Sequence, residues 1–234
     1  MKNRLAKNIG FLSLSQVANY ILPLITIPYV TRIVGPENYG LIEFATVALL
    51  YFSVIVIYGF NTTATRKIAE DPDDIQHVSK VFSTVVFTRL FLLVFTTILF
   101  VVCLYLVPEL YEQFNLLLYA YPIVIGWAIY PDFLFQGLQK LQFVAISNFL
   151  VKAVAAVSIF TIIKEPQDFY LVLTINALAQ ILVGLLLLGY SFKVVKGLKL
   201  KAISFKEIGA QLKEGSYVFF SHLFTRIYVF SSIL

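Results

Sequence analysis

The chain repeats one motif of length: a run of apolar residues just long enough to cross a lipid bilayer. A helix needs about 20 consecutive apolar residues to span the hydrocarbon core. Six segments reach that length, at residues 8–30, 41–60, 81–107, 114–135, 144–163 and 169–190. A seventh begins near Ser216 and is still apolar at Leu234. Composition agrees, with 59% hydrophobic and 13% charged residues, where soluble domains carry about 45–50% and 25%. That balance argues against a water-soluble enzyme and against a disordered chain. The 22 Phe and 14 Tyr suit a surface facing lipid and its interfaces. The expected fold is an all-α polytopic membrane protein of six transmembrane helices plus the start of a seventh.

The formal charge of +5 acquires meaning once the charges are placed. Lys and Arg concentrate in cytoplasmic loops. Thirteen of the 18 basic residues fall on one side of the alternation: Lys2, Arg4, Lys7, Arg66, Lys67, Lys80, Lys140 and the six lysines from Lys193 to Lys213. The other side holds only Arg32 and Lys164. This places the N-terminus in the cytoplasm. The first span is not expected to be a cleaved signal peptide, because it contains Gln16, Asn19 and Pro23, reaches bilayer length and lacks a small-residue cleavage site.

The loops are short. Outward loops at residues 31–40, 108–113 and 164–168 are too small to build an active site readily. The longest loop, residues 191–215, is cytoplasmic and contains Ser204-Phe205-Lys206-Glu207, a capping-box pattern. Phe205, Ile208 and Leu212 follow at helical spacing. Two readings stand: an amphipathic helix on the inner leaflet, or an interdomain linker with a helical turn. Asp71 followed by Pro72 predicts a helix start leading into the third span. One cysteine, Cys103, rules out an internal disulfide framework, and two histidines, His77 and His222, are too few for a His-rich metal site.

Ionisable residues within spans are costly and usually face protein interior or water. Arg89 and Lys152 each lie about 12 Å inside the cytoplasmic ends of their spans, at 1.5 Å per residue. Snorkelling to the interface is the alternative. Arg226 lies near the middle of the seventh segment, where snorkelling helps least. Gln16 with Asn19, Asn148 with Lys152, and Asn176 with Gln180 each share a helix face. They line a cavity, or they join helices by hydrogen bonds. Glu43 and Asp132, near span ends, are candidate ion partners or interfacial residues. Pro23, Pro28, Pro122 and Pro131 interrupt spans one and four as hinges or packed kinks. Three basic residues with no mid-span acid would make the cavity cationic and suited to phosphate or carboxylate.

Four strings carry a resemblance. They are Pro28-Tyr29-Val30-Thr31-Arg32-Ile33-Val34-Gly35-Pro36-Glu37-Asn38-Tyr39-Gly40, Gly59-Phe60-Asn61-Thr62-Thr63-Ala64-Thr65-Arg66-Lys67-Ile68-Ala69, Pro131-Asp132-Phe133-Leu134-Phe135-Gln136-Gly137-Leu138-Gln139-Lys140 and Gly215-Ser216-Tyr217-Val218-Phe219-Phe220. In order and spacing the chain resembles the polysaccharide transporters of the MOP (MATE-like) superfamily, and more narrowly the Wzx-type O-antigen and repeat-unit flippases. The resemblance implies a two-lobed transporter with a cationic lumen. Residues 1–190 would be the N-terminal six-helix lobe, 191–215 a cytoplasmic amphipathic linker and 216–234 the start of a second, truncated lobe. It implies flipping of undecaprenyl-diphosphate-linked oligosaccharide across the bacterial plasma membrane by alternating access, for O-antigen, capsule or exopolysaccharide synthesis. Coupling would be to an H+ or Na+ gradient, with no cofactor or metal site. Its partners would be the lipid-linked oligosaccharide, membrane lipids and the polymerase and chain-length machinery, with no nucleic acid. Arg89, Lys152 and Arg226 match the cationic lumen by position. The resemblance leaves three other readings: a drug or cation exporter of the same superfamily, a membrane-integral enzyme of the polysaccharide pathway, and a structural membrane protein.

The charge pattern makes a topological prediction. In a background freed of Cys103 and any other cysteine, Lys164→Cys in intact cells reacts with a membrane-impermeant maleimide, and Lys201→Cys reacts only after permeabilisation. Labelling of Lys201→Cys from outside would overturn the orientation.

Overall fold

A computed structural model describes residues 2–231, with the side chains of residues 16 and 19–225. Every regular element among them is helical. The order is α1 (Lys2–Val34), α2 (Pro36–Ile57), α3 (Phe60–Glu70), α4 (Ile75–Leu106), α5 (Pro108–Glu112), α6 (Phe114–Ala120), α7 (Pro122–Ala128), α8 (Asp132–Gly137), α9 (Leu141–Ile162), α10 (Phe169–Val194) and α11 (Phe205–Ser231). Among the described residues, five helical segments are long and apolar enough to cross a membrane: Pro36–Glu70, Ile75–Leu106, Phe114–Gly137, Leu141–Ile162 and Pro166–Val194. The remaining expected span and the partial seventh fall on α1 and α11. Many side chains of those two helices lie outside the described residues.

The exposed surface is that of a protein solvated by hydrocarbon. On α4, Val94, Ile98, Val101, Val102 and Tyr105 are all exposed, and on α9 so are Leu150, Val154 and Val157. These positions recur at helical spacing and form apolar stripes far larger than a soluble monomer tolerates. Hydroxyls along α4 bond back to their own helix. Thr84, Thr88 and Thr97 donate to the carbonyls four residues before them.

Several local expectations are corrected. The loop expected at residues 31–40 reduces to Gly35, with Pro36 opening α2 at once. Pro fits the first helical turn because no N–H is needed there. The stretch after span two is also helical, as α3, set off from α2 by Tyr58 and Gly59 in left-handed conformations. Gly59 is needed twice, since its φ is 76° and a Cβ there would lie 2.6 Å from Val218 Cγ1. The cap of α4 is Asp74, not Asp71: its carboxylate accepts from the N–H groups of Gln76 and His77 at 2.8 and 3.2 Å. Asp71 instead ends α3. Pro23 and Pro28 leave α1 uninterrupted, while Pro122 starts α7 and Pro131 stands at a true break between α7 and α8.

The expected capping box at Ser204 is present. Ser204 N–H donates to Glu207 Oε2 at 2.9 Å and Glu207 N–H donates back to Ser204 Oγ at 3.4 Å. Those Ser204 donors hold the Glu207 carboxyl below the ordinary carboxylate range. From there α11 runs without a break through Gly215. It docks on the lysine-rich end of the bundle through the Lys67–Glu214 and Lys80–Glu207 ion pairs, and Phe219 stacks on Tyr58. These exposed pairs are worth little individually; the apolar contacts under them carry the docking.

Close helix approach depends on small residues. A Cβ at Gly126 of α7 would sit 2.7 Å from Gln180 Cγ and 2.8 Å from the Gln180 carbonyl carbon of α10. Small residues are how helices reach such contact in membranes. Gly126→Ala therefore destabilises the protein by roughly 1–3 kcal/mol. Gly189→Ala, with nothing within 4 Å of its Cβ, stabilises by up to about 1 kcal/mol. Thermal unfolding in detergent, read by size-exclusion chromatography, checks the two signs; equal midpoints would refute the close-packing account.

Candidate substrate cavity

The break around Pro131 organises the interior. Ile129 ends α7 and Asp132 begins α8. Leu134 N–H donates to Pro131 O, so the Tyr130 carbonyl belongs to neither helical ladder. A buried carbonyl without a donor is expensive, and more so at membrane depth. Arg89 of α4 supplies the donor: its Nη1 donates to Tyr130 O. Its Nη2 donates to Asn61 Oδ1 at 2.6 Å and stands 3.9 Å from Asp132 Oδ1. Asn61 in turn donates to Asp132 Oδ2 at 2.8 Å, and the Arg89 guanidinium lies 5.2 Å from the centre of the Phe133 ring. Arg89 is 2% exposed and Asp132 6%. The planar fork of arginine is what lets one cation serve a carbonyl and a carboxamide at once.

The sequence places Arg89 on a cationic cavity and offers Asp132 as a candidate ion partner; the structure sets the two side by side, both buried. Asp132, read from sequence as near a span end, is the matching acid, buried beside it. The two charges neutralise each other inside the bundle.

Lys152 has a different setting. Its ammonium donates to Asn19 Oδ1 at 2.6 Å, which ties α9 to α1. Among the described residues no carboxylate pairs with it. It faces a cavity of about 600 Å³ that also holds Asn19, Asn148, Gln180, Trp127 and Tyr130. A smaller adjoining cavity of about 150 Å³ is lined by Lys152, Asn176 and Gln180 among others. The structure thus brings together five of the expected polar residues: Asn19, Asn148, Lys152, Asn176 and Gln180. Gln16 is exposed and lines neither cavity. Glu43 is exposed on α2, where it accepts from the Tyr39 hydroxyl at 2.7 Å, and it too lies outside both cavities. The Arg226 side chain lies outside the described residues.

The cavity and the buried ion pair share a wall. Asn148 Nδ2 donates to the Tyr130 hydroxyl at 2.7 Å, while the Tyr130 carbonyl is held by Arg89. Gln136, which also lines the cavity, donates to Asp132 Oδ2 at 3.3 Å. Asn61, Trp127, Tyr130, Gln136 and Thr65 were not singled out from sequence. The signal for Tyr130 was Pro131 itself, since a break there frees a neighbouring carbonyl. Asn61 stood in a quoted string without a partner to give it meaning.

Among the described residues no group of His, Cys, Asp and Glu could hold a metal ion.

Fold and site together define a multi-pass α-helical membrane protein with a polar cavity inside its bundle. Residues 5–234 match the family described as "Polysaccharide biosynthesis protein". Two relatives named "Putative O-antigen transporter" align over nearly the whole chain. The protein of Escherichia coli K12 is 32% identical over 227 residues, covering 94% of this chain and 53% of the relative. That of Shigella dysenteriae is 29% identical over 234 residues, covering 97% and 57%. No solved structure matches. The chain belongs to the polysaccharide biosynthesis protein family. It spans about half the length of the relatives it matches.

The ion pair is a stability element with a measurable signature. Arg89→Ala strands Asp132 and costs about 3–5 kcal/mol, as for any broken buried pair. Arg89→Met combined with Asp132→Asn recovers only the part due to the stranded charge, because the Tyr130 carbonyl still lacks its donor. Folded yield by fluorescence-detected size exclusion decides: a well-folded Arg89→Ala would contradict the structural role.

Proposed function

We propose that this chain is the first lobe and the beginning of the second in a transporter that flips lipid-linked oligosaccharide across the bacterial plasma membrane. Its N-terminus faces the cytoplasm, and residues 1–190 and 216–234 belong to the two lobes joined by 191–215. The protein is a transporter and not an enzyme. The support is the family, the relatives' names and the resemblance to Wzx-type flippases. The single observation that carries the substrate class is Lys152, a cation on the wall of a polar cavity that has no carboxylate partner among the described residues. Such a group suits the diphosphate of an undecaprenyl-diphosphate-linked repeat unit. A cation exporter would be expected to line this cavity with acids, and its described lining contains none.

Transport by alternating access, driven by an H+ or Na+ gradient, completes the proposal. Two lobes rocking about a central site would expose the lysine to each face in turn.

The test uses the full-length reading frame in a strain lacking its own flippase. Lys152→Gln lowers surface polysaccharide roughly tenfold or more, because a charge-assisted hydrogen bond is worth about 1.5–3 kcal/mol. Lys152→Arg retains most export. Membrane insertion, followed by immunoblot, stays normal in both. Wild-type export by Lys152→Gln would remove the lysine from the substrate path.

A further inference from the structure

The larger cavity holds more than a cation. Trp127 and Tyr130 meet edge to face there, with ring centroids 5.5 Å apart at 83°. Beside them is unused hydrogen-bonding capacity of both senses. Asn148 commits both its amide hydrogens, to the Tyr130 hydroxyl and to Val144 O, which leaves its Oδ1 to accept. Tyr130 accepts at its oxygen from Asn148, which leaves its own O–H to donate. Gln180 Nε2 is buried with no hydrogen-bond partner. Such a donor in a native interior is one that an acceptor brought into the cavity would satisfy. Among the described residues Lys152 has one acceptor for three N–H donors.

That combination selects a ligand chemistry. An aromatic face beside neutral donors and acceptors fits a ring with apolar C–H faces and a polar rim. Lys152, the one cation in the described lining, fits an anion attached to that ring. A bare metal ion would lack carboxylates here, and a fully apolar molecule would leave the amides unpaired. The volume, about 600 Å³, lies within the range of roughly 300–1,000 Å³ of small-molecule sites.

We infer that this cavity is a subsite for one pyranose ring bearing an anomeric phosphate. The ring lies against Trp127, its hydroxyls exchange hydrogen bonds with Tyr130, Asn148 and Gln180, and its phosphate meets Lys152. The inference rests on the transporter reading and deepens it. The sugar next to the diphosphate is read inside the first lobe, and the rest of the oligosaccharide needs no recognition there.

Trp127 is the only tryptophan in these 234 residues, and subtracting the Trp127→Phe signal isolates it from any other indole of the full-length protein. Full-length protein in nanodiscs is titrated with the 1-phosphates of glucose, galactose and N-acetylglucosamine, with the free hexoses and with inorganic phosphate. The signal read is indole fluorescence, as the difference between wild type and Trp127→Phe. At least one sugar 1-phosphate gives a saturable change that binds about tenfold tighter than either its free sugar or inorganic phosphate. Lys152→Gln brings that sugar phosphate down to the affinity of the free sugar, and Gln180→Leu weakens both. Size exclusion shows that the variants remain folded. Equal affinity for inorganic phosphate and every sugar phosphate, or no saturable change, would overturn the subsite. If export in the flippase-deficient strain still depends on Lys152, the transporter reading survives that failure. If export does not depend on Lys152 either, both readings fall.

Discussion

One buried contact sets up the interior: the Arg89 guanidinium holding the carbonyl that the Pro131 break releases. Breaking a helix at membrane depth exposes backbone groups to a medium with no water to satisfy them. Here the neighbouring helix provides the missing donor, and Asp132 and Asn61 balance and orient it. The break then becomes usable. It turns Tyr130 so that its carbonyl faces Arg89 while its ring and hydroxyl reach the cavity. A continuous helix through residues 114–137 would have no such carbonyl to offer.

Two cations at similar depth thus have opposite roles. Arg89 is enclosed, paired and structural. Lys152 is held by one carboxamide and borders open volume. Geometry explains why each residue type suits its place, since a rigid fork serves several fixed acceptors and a flexible ammonium follows a movable one. The lysine-rich end forms a separate layer, where α11 rests on α3 and α4 through Lys67–Glu214 and Lys80–Glu207. Gly59 lets that helix come close.

Much of this was legible in the sequence. Bilayer-length apolar runs define the helices, since hydrocarbon thickness leaves little choice of length. The shared faces of Asn148 with Lys152 and of Asn176 with Gln180 were visible in helical spacing, and these residues do meet at the cavities. The role of Arg89 was not legible. Asp132 was readable as a candidate ion partner, but spacing along one helix cannot say which base it meets on another, and Arg89 is 43 residues away. The prolines were ambiguous for a related reason: Pro23, Pro28 and Pro131 look alike in sequence, yet only Pro131 lies at a helix break. In sequence, Pro72 marks Asp71 as the cap, and only the observed helix start shows that Asp74 takes that place.

The central claim is that Lys152 borders an open cavity while the neighbourhood of Arg89 is sealed. The most direct measurement is thiol reactivity in a background of the full-length protein from which Cys103 and every other cysteine have been removed. Lys152→Cys is compared with Thr88→Cys, which sits beside Arg89 on α4 and is fully buried. The account predicts that an anionic methanethiosulfonate modifies Lys152→Cys quickly and leaves Thr88→Cys untouched. Equal rates at the two positions, or faster modification at Thr88→Cys, would contradict it.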